Sequence, residues 1–171
     1  MLPFFTIFSA EQFIKGSQLI YYGDHRNTFA EAKNACASEN ATLVEIWDEE
    51  IQRAIDEGLS EQLINNSANC KTSKWSMGYW AGGIKNPAAG DEWRWSTSNI
   101  TICTSTEDKC ETYRNWYKNQ SKINDPTLMY AVQLMQVESI CPEGKNFTDV
   151  LGSWISTKAT SRRPYICFKR E

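Results

Sequence analysis

The chain contains a single histidine, His25, and no Cys-x-x-Cys pair. Histidine is the side chain whose ordinary titration lies closest to neutral pH and the commonest metal ligand, so its scarcity removes the usual general base. The missing cysteine pair argues against a structural zinc site. There is no Gly-x-Ser-x-Gly turn and no glycine-rich phosphate loop, since Gly82-Gly83 lies inside a strand-like run. Lys and Arg number 18 against 21 Asp and Glu, a net charge of -3, which leaves no basic footprint for nucleic acid. No apolar run approaches the roughly 18 residues of a membrane span, so this chain is expected not to insert in a bilayer. Internal repeats, low-complexity tracts and linkers are also missing, which speaks against a second domain. Nucleophilic catalysis needs an activated Ser or Cys beside a base. Paired carboxylates can serve a glycosidase, but here the acidic residues fall at helix starts and turns. The chain therefore reads as non-enzymatic, and activity lost on changing His25, Glu92 or Asp125 would contradict that reading.

What is present fits one compact domain. The 171 residues are 41% hydrophobic and 12% aromatic, enough to bury a core. The domain is expected over residues 16–171. Residues 1–15 begin with an apolar stretch, Met1 to Ala10, that lacks a basic start; it reads either as a leader remnant or as an edge strand. The chain has six cysteines, an even number that argues for three disulfides. Asn-x-Ser/Thr acceptors stand at Asn40, Asn65, Asn99, Asn119 and Asn146, against roughly two expected by chance. Cysteines and sequons together predict an extracellular glycoprotein, either secreted or the ectodomain of a membrane receptor.

Gln18 to Tyr22 reads as a strand. Thr28 and Glu31 form a capping box that opens a helix with Phe29, Ala32 and Cys36 on its apolar face. A second helix is expected from Asp48, with Glu49 and Glu50 at its positive end, an inward stripe of Ile51, Ala54 and Ile55, and Gly58 as its stop. Short strands follow within Trp75–Ile84, in the alternating run Met129–Met135, at Trp154 and at Tyr165–Phe168. Between Ile84 and Met129 the chain has no helical or strand period, and a loop of that length in a compact domain is usually functional.

Several separated motifs carry a family resemblance. Thr28 to Cys36 is followed in order by Ala41-Thr-Leu-Val-Glu-Ile46, Trp80-Ala-Gly-Gly83, Trp93-Arg-Trp-Ser96, Asn115-Trp116, Gly152-Ser-Trp154 and Tyr165-Ile-Cys167. In this order and spacing the chain resembles a C-type lectin-like domain from about Gly16 to Lys169. The spacing around Tyr113–Tyr117 and the insert from Gln136 to Gly152 bear a looser likeness to the layilin and chondrolectin type. The resemblance implies an α+β fold of two helices and two small antiparallel sheets with a long-loop region, stapled by disulfides. It also implies a bridge between Cys36 and Cys167, and antiparallel pairing of the Tyr79-Trp80 and Val132-Gln133 strands. On that topology the other bridges are Cys70–Cys141 and Cys103–Cys110, one of three pairings open to four cysteines. A further family bridge is missing, because its two positions correspond to Ala131 and Ala159.

Calcium-dependent members carry Glu-Pro-Asn or Gln-Pro-Asp soon after Asn-Trp, and Trp-Asn-Asp before the last strand; these oxygens suit a hard cation and hold sugar hydroxyls. The corresponding residues here are Gln120-Ser121-Lys122 and Trp154-Ile155-Ser156. Lys122 places a cation where the metal would sit and Ile155 cannot ligate, so no metal or other cofactor is expected. Asn124-Asp125-Pro126 and Asp91-Glu92 are the remaining oxygen donors for a non-standard calcium site; the simpler reading is a turn and a solvated acidic pair. Trp80, Trp93, Trp95, Trp116 and Trp154 match core positions. Candidate ligand contacts are Trp116, Tyr117, Gln120, Lys122, Asn124 and Asp125, near Tyr113 and Asn119, a mix suited to a protein ligand or to stacking on a sugar. Glycans at Asn99 and Asn119 would shade one side of this loop.

Overall fold

A computed structural model describes residues 10–14, 16–65, 78–90, 92–104, 106–107, 109–110, 112–122, 125–135 and 151–171. The elements in order are β1 (Ala10–Ile14), β2 (Ser17–Asn27), α1 (Phe29–Ser38), β3 (Thr42–Leu43), α2 (Glu49–Asn65), β4 (Gly78–Lys85), β5 (Trp93–Trp95), β6 (Tyr130–Met135), β7 (Trp154–Lys158) and β8 (Arg163–Arg170). The strands run β1-β2-β8-β4-β6-β7, with β3 on β8 and β5 on β4. Two antiparallel groups are present as expected, but they join into one hydrogen-bonded network. The reason is that the terminal strand β8 lies between β2 and β4, and Trp80 pairs in parallel with Tyr165.

Alternation along the strands sorts side chains onto two faces. Leu19, Tyr21, Tyr79, Ala81, Val132, Leu134 and Ile166 pack on one side with Ile51, Ile55 and Leu59 of α2. Ile20, Trp80, Ala131, Tyr165 and Cys167 pack on the other with Phe29, Ala32 and Cys36 of α1. Burial takes the Tyr79 phenol up to about 12, because ionisation there would place a charge in this core. The capping box at α1 is present: Thr28 Oγ1 accepts from Glu31 N at 3.3 Å, and Thr28 N donates to Glu31 Oε2 at 2.9 Å. The Cys36–Cys167 disulfide, across 131 positions, pins α1 to β8. Ala131 and Ala159 sit together in the same apolar cluster, one side chain at 0% and the other at 9% exposure.

Three expectations need correction. The second helix does not stop at Gly58; Asp48 Oδ1 caps it by accepting from Ile51 N at 2.9 Å, and α2 continues to Asn65. Leu59 is fully buried and extends the Ile51 and Ile55 stripe, which outweighs the roughly 1 kcal/mol propensity cost of one glycine. The alternation read at Met129–Met135 does not sort core from solvent, because all of β6, Tyr130–Met135, is buried between two covered faces. Its polar member Gln133 uses Oε1 to accept from Thr157 Oγ1 and Arg163 Nε, both at 2.9 Å. The stretch after Ile84 contains the short strand β5, which pairs Gly83 with Trp95. Strand β4 needs the Gly82-Gly83 pair: a Cβ would meet Leu43 O at 3.0 Å from Gly82 and Val132 Cγ2 at 2.5 Å from Gly83.

The Cys70–Cys141 bridge, Asp91, Asn124 and the Asn146 sequon lie outside the described residues. Among the described residues no helix is long and apolar enough to cross a membrane.

Candidate functional site

The long loop is anchored from inside by aromatic rings. Trp93 and Trp116 pack with centroids 4.8 Å apart, Trp116 meets Trp154 edge-on at 5.6 Å, and Trp95 meets Trp154 at 5.5 Å. The indole N–H groups of Trp93, Trp116 and Trp154 each find an acceptor, as most buried donors do. Trp93 Nε1 donates to Ser121 O at 3.0 Å and Trp116 Nε1 to Cys103 O at 2.8 Å. Trp154 Nε1 donates to the buried Gln52 Oε1 at 2.8 Å. Trp80, Trp93, Trp95 and Trp154 are core side chains, while Trp116 is half-buried against them. Cys103 and Cys110 form the expected short staple.

The outer edge of this loop brings together four of the sequence candidates. Tyr117 packs partly on Met135 and Ile155, and Lys118 Nζ lies 5.0 Å from its ring centroid. Gln120 N donates to Tyr117 O at 3.1 Å and Lys122 N to Asn119 O at 3.0 Å, so Tyr117, Gln120 and Lys122 follow one another round a turn beside Trp116. Lys122 is exposed, whereas Ser121 between its neighbours is buried. Asp125 lies further along. Its Oδ1 accepts from Thr127 N at 3.0 Å and Thr127 Oγ1 at 2.6 Å, which holds its carboxyl below the ordinary range. Leu128 and Met129 follow, 39% and 43% exposed.

These residues fit calcium poorly. At the two positions where the resemblance would place ligands, Ser121 faces inward, Ile155 is core and Lys122 carries a positive charge. Asp125 is turned onto its own Thr127, and Glu92 Oε2 accepts from Arg94 at 2.7 Å. Among the described residues one group brings metal-ligating atoms together, Cys103, Glu107 and Cys110, and its two sulfurs are bonded to each other rather than free as thiolates. The candidate proton-transfer groups occupy separate parts of the fold. His25 meets Tyr22 and Tyr165 edge-on, whereas Glu92 accepts from Arg94 and Asp125 from Thr127.

Two concave regions were not read from the sequence. Beneath the loop, Gln52 Nε2 donates to Asp56 Oδ1 at 2.8 Å and to Gly152 O at 2.9 Å. Desolvation raises the Asp56 carboxyl to about 6. A polar cavity of about 340 Å³ lies here, lined by Glu49, Arg53, Tyr113 and Asn115 among others. A larger cavity, about 450 Å³, lies near the end of α1 and is lined by Glu45, Trp47, Phe168 and Arg170. The buried Glu45 carboxylate accepts from Thr97 N at 3.3 Å, Ser98 N at 3.2 Å and Ser98 Oγ at 3.3 Å, tying the β3 end to the turn after β5. A lone acidic residue inside Ala41–Ile46 was the available signal for it.

No protein-family model matches the sequence, and no curated protein matches it. Solved structures do. The mouse scavenger receptor C-type lectin carbohydrate-recognition domain superposes with a TM-score of 0.62 at 16% identity, covering 94% of this chain and 96% of its own. The cow CD23 C-type carbohydrate-recognition domain, solved with a GlcNAc2Man3 oligosaccharide, gives 0.61 at 16% identity over 95% and 94%. The Ca2+-independent C-type lectin SPL-2 from Saxidomus purpuratus gives 0.54 at 19% identity over 92% and 89%. At these identities the likeness is one of architecture, and it agrees with the order of motifs, the Cys36–Cys167 bridge and the anchored long loop: the chain adopts the C-type lectin-like fold.

Proposed function

We propose that this chain is a non-enzymatic extracellular recognition module that works without calcium and binds a protein ligand through the loop surface from Tyr117 to Met129. One observation carries the reading: of the positions that would supply calcium oxygens, three hold an exposed cation, an inward serine and a core isoleucine. A surface whose metal ligands are replaced in this way must recognise its partner by shape, charge and apolar contact. The exposed Leu128 and Met129, next to Lys122, Gln120 and the amphipathic Tyr117, form such a mix. Interfaces between proteins are enriched in aromatic residues and methionine at their centres.

A glycan ligand is the second reading, favoured by the carbohydrate named with one solved neighbour and the calcium independence named with another. Here the sugar would be held by stacking and hydrogen bonds alone. The test is a screen of the folded, disulfide-intact protein against a glycan array and a panel of cell-surface ectodomains, each run with calcium and with EDTA. The expected result is an ectodomain ligand bound equally in both, with at least tenfold weaker binding by Lys122→Glu, about 1.4 kcal/mol. A glycan bound equally in both would favour the second reading. Binding lost in EDTA would overturn calcium independence.

A further inference from the structure

The larger cavity begins where helix α1 ends. Asn40 follows the C-terminal cap Glu39 with φ 55, the left-handed conformation that asparagine tolerates better than most residues. Its side chain is exposed. Asn40 is also the acceptor of the sequon Asn40-Ala41-Thr42, and both Asn40 and Thr42 line this cavity. Thr42 pairs across β3 and β8 with Phe168, so the sequon runs directly beside the aromatic wall.

The wall has the chemistry that holds a sugar ring. Trp47 and Phe168 meet edge-on, centroids 6.4 Å apart, offering apolar faces to pyranose C–H groups. The Arg170 guanidinium lies 5.2 Å from the Trp47 ring centroid and keeps donors for hydroxyl and acetamido oxygens. The Trp47 indole N–H is buried with no protein acceptor, a donor without a partner in the same wall. At about 450 Å³ the cavity falls within the roughly 300–1,000 Å³ of small-ligand sites. By contrast, Asn99 is a second exposed sequon asparagine with positive φ, 61°, and it does not line this cavity.

We propose that Asn40 is glycosylated and that the first N-acetylglucosamine of its glycan folds back into this cavity, against Trp47, Phe168 and Arg170. The sugar then serves as part of the packed surface of the domain, and the cavity is closed to free ligands, leaving recognition to the long loop. The proposal rests on the extracellular reading above.

Its test uses the full chain secreted from mammalian cells with high-mannose glycans. Glycopeptide mass spectrometry reads the occupancy of each sequon. Endoglycosidase H then trims every glycan to one N-acetylglucosamine, and thermal melting compares the trimmed protein with trimmed Asn40→Asp, which keeps a residue suited to positive φ. The expected result is an occupied Asn40 and a melting point lowered by about 3 °C in Asn40→Asp, the shift of about 1 kcal/mol in a domain of this size. In a Trp47→Ala background the Asn40→Asp shift should vanish. Arg170→Ala, at an exposed side chain, should reduce the shift without disturbing the core. An unmodified Asn40 beside occupied sequons elsewhere would overturn the proposal and leave the extracellular reading intact. Absence of glycan at every sequon would overturn that reading and the proposal with it. An occupied Asn40 whose sugar gives no shift, or a shift unchanged in both background variants, would overturn the docking.

Discussion

The frame built on β2, β8, β4 and β6 and the loop between β5 and β6 are each stapled by a disulfide, yet they are held by different forces. In the frame, side chains on both sheet faces are consumed by apolar packing. In the loop, the backbone hangs from indole N–H groups, with Trp93 holding Ser121 and Trp116 holding Cys103. Packing fixes every side chain it uses. Anchoring by a few rings fixes the loop's path while leaving Tyr117, Gln120 and Lys122 available outside it. The difference teaches how one fold can keep its stability apart from the surface proposed here for binding.

The largest effect should come from removing the frame's staple. Cys36→Ala with Cys167→Ala opens a closure of 131 positions and is expected to cost about 5 kcal/mol on the loop-entropy model. Cys103→Ala with Cys110→Ala opens a closure of 7 positions and should cost about 2.5 kcal/mol. Denaturant unfolding measures both; equal losses would break the distinction between frame and loop.

A second comparison concerns the seam where the two regions meet. Gly152 has φ 75, and a Cβ there would lie 1.7 Å from Asp56 Oδ1. Its carbonyl also accepts from Gln52 Nε2 at 2.9 Å and Asn115 Nδ2 at 3.3 Å. Gly152→Ala should therefore destabilise by about 2 kcal/mol, and hydrogen exchange should show the loosening on both sides of the seam.

The same seam predicts a pH dependence. The Asp56 carboxyl lies at about 6 in the folded protein against 3.8 ordinarily, raised by desolvation, so the folded state holds this proton more tightly than the unfolded chain. Its contribution is fully present below 3.8 and is lost as pH rises through about 6. Because the group is only half-buried, the loss should be about 1 kcal/mol after solvent screening. Asp56→Asn keeps an acceptor for Gln52, so stability measured from pH 4 to 7 should lose this slope and gain about that amount at pH 7.

Much of the frame was legible because local signals and global fold agree there. The capping box at Thr28 and the apolar face of α1 each carry one short-range rule, and the structure obeys them; the family resemblance placed Trp80, Trp93, Trp95 and Trp154 in the core, where they lie. The end of α2 was not legible, since Gly58 reads as a stop only until the burial of Leu59 is known. The strand β5 was hidden because three residues are too few to display a period. Of the loop candidates, Tyr117, Gln120 and Lys122 fall on one turn, whereas Trp116 serves chiefly as an anchor. The Glu45 cavity gathers residues from Asn40 to Trp47, from Thr97 to Ser98 and from Phe168 to Arg170, three segments that no local pattern joins.

The smallest expected effect is also the most decisive. Thermal melting of the folded protein, in EDTA and in 10-millimolar-range calcium, should give the same midpoint on the proposed reading, because among the described residues the ligand positions include an inward Ser121, a core Ile155 and the cation Lys122. Asp125→Ala should leave that equality unchanged. A calcium-dependent rise of several degrees would contradict the account, since a ligand about a hundredfold above its Kd adds roughly 2.7 kcal/mol; a rise abolished by Asp125→Ala would locate the metal in the loop.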